Sequence, residues 1–113
     1  MYLAIVLSNL QVESTVRQAA GIALKAHIET YFAQIPQEHI QSIQPLLKSA
    51  FESDSSPVVR KAIKSVMSTI IMRGGINVWR DLFYYLADNL KSTDQTFVAD
   101  CLHTISMIVE DVQ

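Results

Sequence analysis

Apolar residues recur at the spacing of one helix face in the stretch after Ser56. Val59, Ala62, Ile63, Val66, Met67, Ile70 and Ile71 stand at i, i+3, i+4, i+7. Signals at both ends bound this stripe. Asp54, Ser55 and Ser56 offer side-chain oxygens to the unbonded N–H groups of a first turn. Pro57 suits that turn, because its missing N–H has no intrahelical partner there. Gly74-Gly75 closes the segment, since glycine accepts the positive φ common just past a helix C-terminus. The pattern predicts a helix from Pro57 to Arg73.

The same stripe recurs on both sides. A shift of 43 positions back from Val59 gives Val16, Ala19, Ala20, Ala23, Leu24, His27 and Ile28. A shift of 39 forward gives Val98, Cys101, Leu102, Ile105, Ser106, Val109 and Glu110. The preceding segments repeat as well: Ile43, Leu47 and Phe51 map onto Leu82, Leu86 and Leu90 at +39, and onto Tyr2, Val6 and Leu10 at −41. Three helix pairs with a period near 40 predict a stacked array. The expected fold is all-α: an α-solenoid of about three antiparallel helix pairs, six main helices, in a right-handed superhelical stack. The pairs divide the chain at approximately 1–35, 36–73 and 74–113.

Taken in order, the remaining helices are expected at Tyr2–Leu10, Thr15–Ala33 with Ser14 as cap, Gln37–Ser53, Asn77–Leu90, and from after Asp94 to Asp111. Pro45 falls inside the third, where it removes a hydrogen bond and crowds the preceding turn. A kink or break is therefore expected near Gln41 to Gln44. The fifth helix should turn Trp79, Leu82, Phe83, Leu86 and Leu90 inward and leave Tyr84, Asp88 and Lys91 outside. The first is apolar nearly all round, which calls for neighbours on more than one side. Terminal repeats normally carry a polar outer face, so the chain reads as a segment of a longer array. Otherwise the outer face of the first helix is covered by a partner, such as a neighbouring copy.

Composition narrows the function more than it names it. Half of the 113 residues are apolar, with only 3 Gly and 3 Pro, which excludes a disordered chain. The net charge of −2 provides no basic field for nucleic acid or an anionic membrane. Met1 to Val12, the longest uncharged apolar run, is too short to span a bilayer and lacks the marks of a secretory signal. A single cysteine, Cys101, excludes an intrachain disulfide; on an apolar stripe it reads as a small buried hydrophobe in a reducing compartment.

No constellation for catalysis is present. His27, on a stripe, is expected to be buried; His39 and His103 stand far from it in sequence, and none has metal-ligand spacing. Glu52/Asp54 and Glu110/Asp111 lie at helix ends and read as solvated surface. Phosphate-cradling glycine loops and serine nucleophile motifs are missing, so neither an enzyme nor a cofactor is expected. Arg17, Arg60, Lys61 and Lys64 form a modest basic strip without interleaved aromatics. Asp54 and Arg60 are placed to bond to neighbouring repeats, as a ladder along the array; the other repeats are less regular, since Arg17 matches Arg60 but has Gln11 six positions before it, with Glu13 nearby, and in the third repeat Asp94 is matched by the acid Asp100.

The paired helices, the Asp-x-x-Pro-x-Val-Arg start at Asp54 and the period near 40 resemble HEAT repeats. Val16-Arg17-Gln18-Ala19-Ala20-Gly21-Ile22-Ala23-Leu24-Lys25 resembles the end of the amino-terminal domain of importin-β-type nuclear transport receptors. The segments Asp54 to Pro57, Arg73 to Gly75 and Trp79 to Phe83 resemble the next stretch in the transportin group of that family. Ala26-His27 departs from the asparagines usual there, and Arg80 stands in place of a proline. The resemblance covers Tyr2 to Asp111. It implies part of the amino-terminal arch, where the second helices of early repeats contact Ran in its GTP form. Cargo proteins would bind through other parts of the receptor, which moves between cytoplasm and nucleus. If those second helices line the binding face, their outward polar positions are Arg17, Gln18, Lys25, Arg60, Lys64, Asp100 and His103. A HEAT scaffold or adaptor unrelated to transport would share the fold, whereas a small helical enzyme would need a polar pocket that the stripes do not provide.

Overall fold

A computed structural model describes residues 2–53 and 56–112 of the chain. Six α-helices follow one another: α1 (Tyr2–Ser8), α2 (Ser14–Tyr31), α3 (Gln37–Ser53), α4 (Pro57–Gly74), α5 (Arg80–Asp88) and α6 (Gln95–Val112). Short 3₁₀ turns at Phe32–Gln34, Ile76–Trp79 and Asn89–Lys91 extend or introduce them. The helices pack as pairs, α1 on α2, α3 on α4 and α5 on α6. Neighbouring pairs stack through their second helices, α2 on α4 and α4 on α6, and α1 also packs on α3. The shortest dimension is 21 Å, the thickness of two helix layers at about 10 Å each. This is the all-α, HEAT-like arrangement that the repeating stripe implies.

Local chemistry sets the boundaries, with some corrections to the expected ones. The first helix stops at Ser8 instead of Leu10, because the Asn9 side chain accepts the Gln11 N–H at 2.9 Å and turns the chain. Ser14 is the first helical residue of α2 and not its cap; Glu13 holds that position, with its carbonyl accepting the Arg17 N–H. At the other end α2 gives way to a 3₁₀ turn after Tyr31, short of Ala33. The third helix runs through Pro45 without a break. Its inward residues Ile40, Ile43, Leu47, Ala50 and Phe51 are all buried, whereas Pro45 and Gln41 face solvent, where water can satisfy the bypassed carbonyl.

The glycine pair after α4 does two different jobs. Gly75 has φ of 81° and donates its N–H to the Ile71 carbonyl at 2.7 Å. Gly74 remains helical, and a Cβ there would lie 2.8 Å from both Phe32 and Val78. The fifth helix starts at Arg80 rather than Asn77, after a 3₁₀ turn that seats Trp79 in the core. Asp94 caps α6, its carboxylate accepting the N–H groups of Thr96 and Phe97. Asp54 and Ser55, and the side chains of Phe83, Glu110 and Asp111, lie outside the described residues.

The core is centred on α4. Val59, Ile63, Val66, Met67, Ile70 and Ile71 are each fully buried, between α2 on one side and α6 on the other. Leu82 and Leu86 of α5 face the same core as expected, with Leu90 partly buried and Tyr84, Asp88 and Lys91 exposed. Phe51 meets Phe97 with ring centroids 5.5 Å apart, tying α3 to α6. Cys101 is a buried thiol; burial first, and Asp100 second, push its pKa up to about 11. Among the described residues, no helix is long and apolar enough to cross a membrane.

Candidate functional site

The second helices α2, α4 and α6 lie side by side, so their outward residues form one continuous surface. Its most organised part is a polar seam between α4 and α6. Asp100 sits one turn inside α6 and presents its two carboxylate oxygens to two cations of α4. Arg60 Nε lies 3.0 Å from one oxygen, and Lys64 Nζ donates to the other at 3.1 Å. Arg60 and Lys64 are four residues apart, one helical turn, which is why a single carboxylate spans both. Lys64 Nζ also lies 3.1 Å from His103 Nδ1. An ammonium only donates, so in this contact the ring nitrogen is the acceptor.

These side chains are only 10–19% exposed where they pair, so water screens them less than it screens a surface pair. Arg60 thus takes its acid from the next helix pair along the array. That acid is Asp100; Asp54, the acid that the sequence pattern assigns to the ladder, lies outside the described residues. Thr104, buried on the same helix, turns its hydroxyl back onto the Asp100 backbone carbonyl at 2.7 Å.

A second feature lies between α2 and α4. A groove of about 300 Å³ is lined by Gln18, Ile22, Lys25, Val58, Lys61 and Ser65, with Gly21 and Ala62 as its floor. The floor is deep because a Cβ on Gly21 would come within 2.8 Å of the Ala62 Cβ, so only glycine allows this approach. Lys25 leans toward Glu29 at 3.9 Å, a loose contact on an exposed face. Ile22 and Val58 stand out into solvent, 60% and 44% exposed, on the groove's rims. The stripe reading missed both residues, since each falls beside the repeating apolar positions.

The structure therefore divides the seven sequence candidates. Arg60, Lys64, Asp100 and His103 converge in the seam, although Lys64 is buried rather than outward. Gln18 and Lys25 flank the groove. Arg17 is corrected outright: it is 3% exposed, and its Nε donates to the Leu7 carbonyl at 2.9 Å. There it neutralises the C-terminal end of α1 and fixes that helix onto α2. The basic strip is thus broken, and Lys61 is its exposed member.

A second concavity, about 320 Å³, opens between α2 and α3 and is mostly apolar, with His27, Tyr31 and His39 among its lining residues. His27 is exposed, against expectation, and its ring lies 5.2 Å from that of Tyr31. Among the described residues, no group of three or more His, Cys, Asp or Glu side chains could hold a metal ion.

Comparison with known proteins gives this surface a context. Residues 1–51 match the Importin-beta N-terminal domain. A transportin of Dictyostelium discoideum is 26% identical over 110 residues, covering 97% of this chain and 12% of that protein. Transportin-1 of mouse and of human are each 28% identical over 114 residues, again covering 97% of this chain and 12% of theirs. The chain thus spans about an eighth of the length of the curated relatives it matches.

Proposed function

We propose that this chain, an importin-β family sequence, contributes part of the Ran-binding surface of a nuclear import receptor. The observation that carries this reading is the surface of α2, α4 and α6, which joins a basic-rimmed groove to a carboxylate-centred seam. Lys25 and Lys61 supply positive charge, Ile22 and Val58 supply exposed apolar contact, and Gly21 supplies depth. Such a surface fits a folded protein partner with acidic and apolar groups side by side. In this reading Gln18, Lys25 and His103 are the sequence candidates that touch the partner. Arg60, Lys64 and Asp100 hold α6 against α4 and so set the spacing of the surface.

In this reading Ran in its GTP form is the direct partner, cargo proteins bind elsewhere on the receptor, and the protein works in both cytoplasm and nucleus. The test is calorimetric titration of the chain with Ran loaded with GTP and, separately, with GDP. Selective binding of the GTP form is expected. The double substitution Lys25→Glu/Lys61→Glu should weaken it by about tenfold or more without loss of helicity. Equal affinity for both nucleotide forms, or a charge reversal without effect, would instead favour a HEAT scaffold unrelated to transport.

A further inference from the structure

The α2–α4 groove and the α4–α6 seam are the same joint between repeats, built with different charges. In the seam, Asp100 of α6 pairs with both Arg60 and Lys64 of α4. The repeat register carries Asp100 back 39 positions onto Lys61, and carries Arg60 and Lys64 back 43 positions onto Arg17 and Gly21. The contacts keep that register: Gly21 meets Ala62, the neighbour of Lys61, as Lys64 meets Asp100. Each exchange has a consequence. Arg17 turns to the Leu7 carbonyl, and Gly21 has no side chain to fill the space that Lys64 fills in the seam. Lys61 puts a cation where the seam has its carboxylate, and among the described residues it pairs with no acid. The seam draws its acid from the next repeat; the described residues supply none to the groove.

We propose that a partner protein supplies that acid: an amphipathic helix lies along the groove, its acidic side chains pairing with Lys61 and Lys25 and its large apolar side chains, one turn from them, resting on Val58 and Ile22. Charge selects the carboxylates. The groove is lined by two lysines and no acid, in a chain whose net charge is −2. Lys25 has only a loose 3.9 Å contact with exposed Glu29, so turning to a new acid costs it little. Spacing selects the helix. On each wall an apolar residue stands three positions before a lysine, Ile22 before Lys25 and Val58 before Lys61, close to one helical turn. A helix that carries an acid and an apolar residue three or four positions apart presents the same step. The rims then cover apolar surface that is otherwise open to water, with Ile22 60% and Val58 44% exposed.

The groove lies between the first and second helix pairs, both of which the chain contains, so its shape is set inside the array. The proposal rests on the reading of this surface as a binding face and names what the partner brings to it; it does not require that partner to be Ran.

The probe is a synthetic peptide of about 15 residues, long enough to form a helix, with glutamate and leucine one turn apart along one face. It is titrated into the intact, isotope-labelled 113-residue chain and followed by NMR. It should bind with a Kd below about 1 mM and shift the amides of Gln18, Ile22, Lys25, Val58, Lys61 and Ser65 before others. Replacing its glutamates by glutamine, or its leucines by alanine, should weaken binding about tenfold. Lys61→Glu should weaken it as much, and that variant should instead bind a peptide with lysine in place of glutamate. If Lys61→Glu loses helicity, Lys61→Gln replaces it and should still lower the affinity. Shifts spread over the whole surface, or an affinity indifferent to the peptide's glutamates and to Lys61, would overturn the proposal. So would failure to bind the peptide by a chain that selects Ran in its GTP form. Peptide binding by a chain indifferent to the nucleotide on Ran would support it and remove only the Ran reading.

Discussion

Helices α2 and α4 carry the same stripe of residues 43 positions apart and meet very different fates. On α4 all seven stripe positions are buried. On α2, Ala20, Leu24 and Ile28 are buried, while Val16, Ala19, Ala23 and His27 are exposed. The difference does not lie in the local pattern, which is nearly the same. It lies in the neighbours: α4 has a helix on each side in its layer, and α2 packs against one. Periodicity therefore identifies which residues are suited to packing, and the position of the helix in the stack decides how many of them pack.

A substitution series across the repeats sharpens this comparison most. Val16, Val59 and Val98 are the same residue at the same register, exposed, fully buried and half-buried respectively. Val59→Ala should cost about 2 kcal/mol through lost burial and the cavity it leaves. Val98→Ala should cost about half of that, and Val16→Ala no more than about 0.5 kcal/mol. Urea unfolding of the three variants checks the order. Equal costs would mean that neighbours do not set the burial.

The polar seam gives the next largest effect. Asp100→Ala leaves Arg60 and Lys64 side by side without their shared carboxylate, in a site only partly open to water. A loss of about 1–2 kcal/mol is expected. Lys25→Ala, which loosens only the 3.9 Å contact with exposed Glu29, should change stability by less than about 0.5 kcal/mol. A chemical-denaturation comparison of the two variants measures how far the seam differs from ordinary surface charge.

A further effect is confined to alkaline pH. The Cys101 thiol is pushed up to about 11 from the ordinary 9.0, so between these values the folded chain holds a proton that the unfolded chain has lost. Stability should therefore fall as pH rises through that window, and the thiol should contribute no slope below it. Burial, and then Glu52, hold the Tyr85 hydroxyl above its ordinary range, which adds to the same trend at still higher pH. Cys101→Ala should flatten the lower part of the decline, measured as unfolding midpoints from pH 8 to about 11.

Much of the fold was legible in the residues because the stripe, its bounding glycines and its two shifted copies all say the same thing. The Cys101 position, on the third copy of the stripe, is buried as its register implies. The site was less legible, for a physical reason. Whether a polar residue on a helix reaches solvent depends on the helix beside it. Arg17 and Arg60 share a register, yet one caps α1 from a buried position and the other joins an ion pair to α6. Ile22 and Val58 look like ordinary members of apolar runs and emerge only where α2 and α4 diverge into a groove. Pro45 shows the opposite effect, since burial of the opposite face of α3 keeps the helix unbroken through a residue that locally disfavours it.

Native-state hydrogen exchange, resolved by residue, tests the central claim most directly. If the chain is a stack with α4 enclosed on both sides, the amides of Val59 to Ile71 should exchange slowest, approaching the rate set by global unfolding. Those of α2 and α6 should open more readily, and those of α1 most readily of all. Equal protection across α2, α4 and α6, or slowest exchange in α1, would contradict it.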